Sequence, residues 1–294
     1  MSVYLTRIPY GKSNVRLTKV RRGAGKHDLV ELSVDVSLEG DFEASYTEGD
    51  NGKVIATDSI RNTVLVLAHE HPIDCIEPFG RRLASHFVDR YEQVDRACAR
   101  IRETVWKRLD VDGVPHPHSF VHGGDEVGTT TVESDRSGSE SVASGIDSLV
   151  VLKTTGSGFS SFVRDEFTTL ADTDDRILST AIEAEWRYPG EALDSRVAGA
   201  AVEVDWVACR ERVRTALLDT FARHDSLSVQ QTIYAMGQAA LGAVEEISEI
   251  RLTMPNLHHL LADLSAFGRE NVGELFVPTS EPFGKISGTL RRSS

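Results

Sequence analysis

Between Glu31 and Leu38 the chain alternates strictly: Leu32, Val34, Val36 and Leu38 are apolar, while Glu31, Ser33, Asp35 and Ser37 are polar. Successive strand side chains point to opposite faces, so this is the pattern of a strand with one face buried and one open. At Thr57-Asp58-Ser59 the period changes. Ile60, Val64 and Leu67 recur at helical spacing behind good helix-starting residues. Pro78 opens a second helical pattern, with Phe79, Leu83 and Phe87 four apart on one face.

The first fifty residues otherwise read as extended, with turns at Gly40-Asp41 and Gly49-Asp50-Asn51-Gly52. Val94 to Trp106 reads as a strand, Asp110 to Gly124 as a turn region leading into strands. Thr129–Val132 and Leu149–Thr155 read as extended, separated by the polar stretch Ser134–Ser144. The second half repeats the plan. Strand-like residues surround Phe159 and Ile182–Trp186. Two helices follow, lined by Trp206, Cys209, Val213 and Leu217 and by Ile233, Met236, Ala240 and Val244. Strands near Ile250–Met254, Leu260–Leu264 and Ile286–Leu290 close the pattern. Ala56-Thr57-Asp58-Ser59 is echoed by Asp172-Thr173-Asp174-Asp175, each expected to start a short helix. Strands, then helices, then strands, twice over, predict an α+β fold with antiparallel sheets.

At 294 residues the chain can bury a substantial core, as one large or two medium domains. Its net charge of −13 disfavours nucleic acid as a partner, because phosphate backbones would be repelled. A small anion could still bind at a local positive group, which makes each arginine in a candidate site telling. Cys75, Cys98 and Cys209 form no disulfide framework or CxxC pair, so a reducing compartment is expected. Met1–Arg7 lacks the apolar run of a signal peptide, no segment is long enough to span a membrane, and the chain does not end in Ser-Lys-Leu. A cytoplasmic location is the expectation.

Several common sites are missing. Gly156-Ser157-Gly158-Phe159-Ser160-Ser161 lacks the third glycine of a dinucleotide fingerprint, and neither a Walker A loop nor a GxSxG elbow occurs. His116, His118 and His122 lie close in sequence, but a proline separates the first two and no Cys or acidic ligand is near. No metal is expected there.

The most telling stretch runs from Thr154-Thr155-Gly156-Ser157-Gly158-Phe159 through Phe162-Val163-Arg164-Asp165 to Thr173-Asp174-Asp175-Arg176. It sets an aromatic and an arginine around a turn-rich segment that no core pattern requires. A planar polar ring calls for that pair: a π face to stack on and a rigid fork of donors for its edge. Phe159 could otherwise be ordinary core, and Arg176 could pair with Asp174 or Asp175. The stretch resembles the central signature of urate oxidase (uricase). Tyr10-Gly11-Lys12-Ser13-Asn14-Val15-Arg16 and Thr57-Asp58-Ser59-Ile60-Arg61-Asn62-Thr63 resemble two further motifs of that family. Ser228-Val229-Gln230-Gln231-Thr232 and Met254-Pro255-Asn256-Leu257-His258-His259 resemble two more.

The resemblance implies two tandem tunnelling-fold (T-fold) units, 1–137 and 138–294. Their antiparallel sheets would carry helices on one face and assemble into barrels within a homotetramer. It implies oxidation of urate by O2 to 5-hydroxyisourate and hydrogen peroxide, with no cofactor and no metal. Lys12, Thr57 and His258 carry over as the proton-moving residues. Thr57, Asp58, Phe159, Arg176, Val229, Gln230 and Asn256 carry over as substrate- or oxygen-contacting residues, with sites shared across a subunit boundary. Gln231 is a competing reader of the substrate edge, and Thr57 could serve simply as a helix cap. Leu257 departs from a lysine frequent in the family. Two other readings stand beside this one: a purine-binding T-fold protein without turnover, and a pterin-type T-fold enzyme such as a cyclohydrolase. The latter would want a zinc or thiol constellation that the scattered cysteines do not offer.

Overall fold

The structure, a computed structural model, describes residues 3–189, 204–279 and 281–293. They fall into two compact units: residues up to Gly145 together with those of 187–208, and residues 146–186 together with those from Cys209 onward.

The first unit holds β1 (Tyr10–Arg22), β2 (His27–Gly40), α1 (Glu43–Thr47), α2 (Thr57–Glu70), α3 (Ile76–Arg90), β3 (Val94–Val111), β4 (Val114–Asp135) and the beginning of β5 (Glu140–Lys153). Strands β1 to β4 pair antiparallel in chain order. Their register sets Val15, Val34, Ile101 and Thr130 in one row and Lys12, Val36, Ala99 and Val132 in the next. Directly opposed residues share a face, and this face is the covered one. Helix α2 packs on β1, and α3 packs on β3 and β4. At Gly80 the approach is so close that a Cβ would lie 2.9 Å from Val132 Cγ2. Phe79, Leu83 and Phe87, the apolar face of α3, are buried.

The second unit contains the end of β5, β6 (Leu178–Arg187), most of α4 (Trp206–Arg223), α5 (Val229–Ala243), β7 (Glu249–Pro255), the small pair β8 (His259–Leu261) and β9 (Phe276–Pro278), and β10 (Lys285–Arg291). Its strand order is β5-β6-β7-β10, and α5 packs against β7 and β10.

Most of the alternating and helical patterns fall on strands and helices as expected, and the departures have local causes. The first fifty residues include the single-turn helix α1, anchored by buried Phe42 at its start. Helix α3 begins two residues ahead of Pro78, at Ile76. The Pro- and His-rich segment is mostly strand β4. Its prolines are admitted near the hairpin end, where the pairing slips between Arg108 and Asp110. Finally, the stretch between the strands shrinks to the turn Arg136–Ser139, because β5 already starts at Glu140.

Both units close a helix in the same way. In the first, Arg136 Nη2 donates to Val88 O (3.2 Å), Tyr91 O (2.7 Å) and Val94 O (2.5 Å), just past the end of α3. In the second, Arg292 Nη2 donates to Leu241 O (2.5 Å) and Val244 O (3.0 Å), and its Nε to Ile247 O (3.4 Å), past the end of α5. A cation on these helix-end carbonyls also complements the helix dipole. Lysines do the same for the preceding helices: Lys19 Nζ donates to Ala68 O (2.5 Å) and His71 O (2.6 Å), and Lys153 Nζ to His224 O. Arg136→Met is expected to destabilise the fold by about 1–2 kcal/mol, by stripping charged donors from partly buried carbonyls. A thermal melt with an unchanged midpoint would contradict this.

Candidate active site

Each candidate residue is placed by its own unit. In the second, residues 157–159 form an extended segment, entered through Gly156 (φ 70°) and held from both sides. Ser226 N–H donates to Gly156 O (2.9 Å), and Gly158 N–H to Ser226 O (2.8 Å). On the other side Phe159 and Thr173 exchange both backbone hydrogen bonds (2.8 and 3.0 Å), and Arg176 N–H donates to Ser157 O (2.7 Å). Gly158 permits this approach, since a Cβ there would sit 3.0 Å from Asp174 O. The helix expected to start near Asp172 does not form, because Thr173 spends its N–H and C=O on Phe159. The echo of Ala56–Ser59 is thus a sequence coincidence.

Arg176 comes to rest with its guanidinium carbon 5.3 Å from the centre of the Phe159 ring. Phe162 stacks in parallel on that ring at 4.9 Å, a partner that the sequence reading had not singled out. Burial pushes the Arg176 guanidinium below its usual pKa, and its Nε is buried with no hydrogen-bond partner. The neighbouring acids do not serve it. Asp175 instead accepts from Thr155 Oγ1 (2.6 Å) and Ser157 N–H (3.3 Å). Among the described residues no carboxylate pairs with Arg176. Half-burying a cation without a counter-ion carries a desolvation cost, and an anionic ligand would relieve it.

Ser226, which grips the 156–158 segment, lies just before α5. Ser228 caps that helix through Gln231 N–H (3.1 Å), while Gln231 Oε1 accepts from Leu227 N–H (3.0 Å). This reciprocal arrangement follows capping-box logic. It occupies the Gln231 amide and leaves the exposed Gln230 outside the cap, next to buried Val229. Asn256 is reached from the other flank. It pairs with Thr180 near the start of β6, and Leu257 N–H donates to Ser179 O (2.9 Å). Asn256 Nδ2 and His258 Nδ1 lie 3.4 Å apart. Phe159, Arg176, Val229, Gln230, Asn256 and His258 therefore all belong to the second unit, tied to one framework of short backbone pairings.

Lys12, Thr57 and Asp58 belong to the first unit. Helix α2 lies along β1: Tyr10 Oη accepts from Ile55 N–H (2.9 Å) ahead of the helix, and Lys19 holds its far end. Thr57 is thereby set at the Tyr10–Lys12 end of the strand. The cap position is Ala56, so the Thr57 hydroxyl, in the first helical residue, is not the cap. Asp58 accepts from Asn62 Nδ2 (2.9 Å).

The histidines elsewhere make ring contacts. His116 and His118 meet nearly perpendicular at 4.6 Å, and His122 meets Trp106 at 5.6 Å. Among the described residues, no group of three or more His, Cys, Asp or Glu could hold a metal ion. Cys75, Cys98 and Cys209 form no disulfide. No helix among the described residues is long and apolar enough to cross a membrane.

Comparison with known proteins agrees with the motifs. The uricase family model matches residues 8–133 and 142–287. The uricase of Arthrobacter globiformis is 41% identical over 291 residues, covering 99% of this chain and 90% of that protein. The uricase of Aspergillus flavus is 39% identical over 293 residues, covering 97% and 96%. The crystal structure of the Arthrobacter globiformis uricase superposes with a TM-score of 0.89 at 40% identity, covering 99% of this chain and 96% of that one. Its fold is therefore α+β with two tandem T-fold units, and the chain belongs to the uricase family.

Proposed function

We propose that this chain is a urate oxidase acting through the residues assembled above. Urate, O2 and water become 5-hydroxyisourate and hydrogen peroxide: urate gives up two electrons, O2 accepts them with two protons, and water supplies the new hydroxyl. The observation that carries this reading is the half-buried Arg176 guanidinium beside the Phe159 ring, with no carboxylate partner among the described residues and its Nε buried and unpartnered. In a chain of net charge −13, it offers a flat anion both a stacking surface and a fork of donors. Gln230 supplies a paired donor and acceptor for another edge of the purine, the Val229 backbone stands beside it, and Thr57 and Asp58 contact the far side.

Lys12, Thr57 and His258 move protons. A hydroxyl cannot lose its proton unaided, but a neutral amine beside it can take one, and negative charge developing at Thr57 is favoured by the start of α2. The resulting electron-rich urate reduces oxygen directly, with Asn256 holding oxygen and then water. The protein's share is positioning and electrostatics. No cofactor is needed in this scheme.

Lys12 and Thr57 are proposed to meet the remaining residues across a subunit boundary, in a cytoplasmic homotetramer. The repeated units are proposed to be 1–137 and 138–294. The placement of Arg136 and Arg292, each at the end of one half with the same helix-closing contacts, supports that boundary. The spatial grouping differs, because the start of β5 and residues such as Tyr188 and Trp206 cluster with the first unit.

The test is direct. Chelator-treated protein is mixed with urate while urate absorbance and peroxide are followed. Loss of urate with matching peroxide supports the oxidase, whereas tight binding without loss would identify a binding module. Paired variants test the reader: Gln230→Ala should weaken urate binding. Gln231→Ala should leave binding intact and cost about 1 kcal/mol of stability through the lost cap. The reverse pattern would hand the role to Gln231.

A further inference from the structure

Strand β1 is not regular. Its pairing with β2 runs from Lys12 opposite Val36 to Val15 opposite Val34, so β1 holds one residue more than its partner across this interval. That is a β-bulge, formed by Ser13 and Asn14, and it changes which way Lys12 points. Beyond it, Val15, Leu17 and Lys19 turn toward the covered face, while Arg16, Thr18 and Val20 are exposed. In an unbroken strand Lys12, three residues before Val15, would fall with the exposed set. The extra residue reverses the parity. Lys12 instead joins the row of Val36, Ala99 and Val132 on the face where α2 lies. Tyr10, opposite Leu38, shares that face and reaches Ile55 at the entry to α2.

The bulge is held by specific bonds. Asn14 adopts a left-handed conformation (φ 56°), which asparagine tolerates better than most residues. Its backbone N–H, freed from the ladder, donates to Asp35 Oδ1 (2.6 Å), and its side-chain Oδ1 accepts from Ser33 Oγ (2.9 Å). Gly11, before the bulge, lets the strands close in: a Cβ there would lie 1.8 Å from Val36 O. Bulges commonly serve to re-aim a side chain next to an active site.

We propose that Asn14 and Asp35 are positioning residues for the urate oxidase reaction: by pinning the bulge, they aim Lys12 at the Thr57 end of α2. This rests on the proton-moving role given to Lys12 above, and the experiment separates the two. Steady-state kcat and KM for urate and the melting temperature are measured for the wild type, Lys12→Met, Asp35→Ala, Asp35→Asn, Asn14→Ala and Asn14→Gly.

Asp35→Ala should lower kcat by about tenfold or more, the scale that a small displacement of a catalytic group brings, with little change in KM. Asp35→Asn keeps an acceptor oxygen in place and should recover most of kcat. Glycine accepts a positive φ and alanine resists it, so Asn14→Gly should stay well above Asn14→Ala. That second pair carries the test if Asp35→Ala fails to fold. The proposal is overturned if Asp35→Ala retains wild-type kcat, if Asp35→Asn is as impaired as Asp35→Ala, or if KM rises as much as kcat falls. Wild-type protein that leaves urate unchanged would instead overturn the oxidase reading. An inactive Lys12→Met beside a fully active Asp35→Ala would remove only the bulge from the mechanism.

Discussion

Lys12→Met should abolish most turnover while leaving urate bound. Removal of a general acid–base group typically costs about 10²–10⁴-fold in rate, and the loss should fall on kcat, because the proposed grip on urate belongs to Phe159, Arg176 and Gln230. Methionine keeps much of the lysine chain's length and bulk, so the covered face around Val36 and Ala99 stays filled. Stopped-flow traces of urate consumption, beside a binding isotherm for a non-reacting purine, provide the check. A rise in the dissociation constant equal to the fall in kcat would make Lys12 a substrate-holding residue.

Arg176 should show the opposite split, together with an effect on the empty protein. Hydrogen bonds to a charged group are worth about 1.5–3 kcal/mol each. Losing a bidentate pair through Arg176→Met should then raise KM by about 100-fold or more. Lysine should restore little, since a single ammonium cannot reproduce the planar fork. Without substrate, Arg176→Met should melt slightly higher than the wild type, because a half-buried guanidinium with a buried, unpartnered Nε gives way to an apolar chain. An Arg176→Met protein that melts lower, with unchanged KM, would mean that the arginine serves the fold.

Much of the fold is legible residue by residue. The alternation from Glu31 to Leu38 and the helical faces of Phe79, Leu83 and Phe87 and of Ile233, Met236 and Ala240 are local signals. Local signals survive folding when burial agrees with them. What escapes is set by distant partners. Thr173 resembles a helix start among its neighbours, yet it pairs with Phe159. The bulge at Ser13–Asn14 leaves no mark on the hydrophobic pattern, because Ser33 and Asp35 on another strand fix it. The residue types of the candidate site could be matched to family motifs from sequence. The isolation of Arg176 could not, since Asp174 and Asp175 sit beside it in the chain and only the fold diverts Asp175 to Thr155 and Ser157.

The arginine clasps also give the two halves a common ruler. Superposing Tyr91 on Val244, carbonyls held alike by Arg136 and Arg292, sets Glu77 of α3 opposite Gln230 of α5. Gln230 lies open, whereas Glu77 is sealed inside, accepting from Ser144 Oγ (2.7 Å), which in turn meets the Tyr188 hydroxyl at 3.0 Å. The same helical position is thus open to solvent in one half and locked into internal hydrogen bonds in the other. With Gln230 as the proposed reader, its counterpart Glu77 is committed to cohesion and offers no second recognition group at this position.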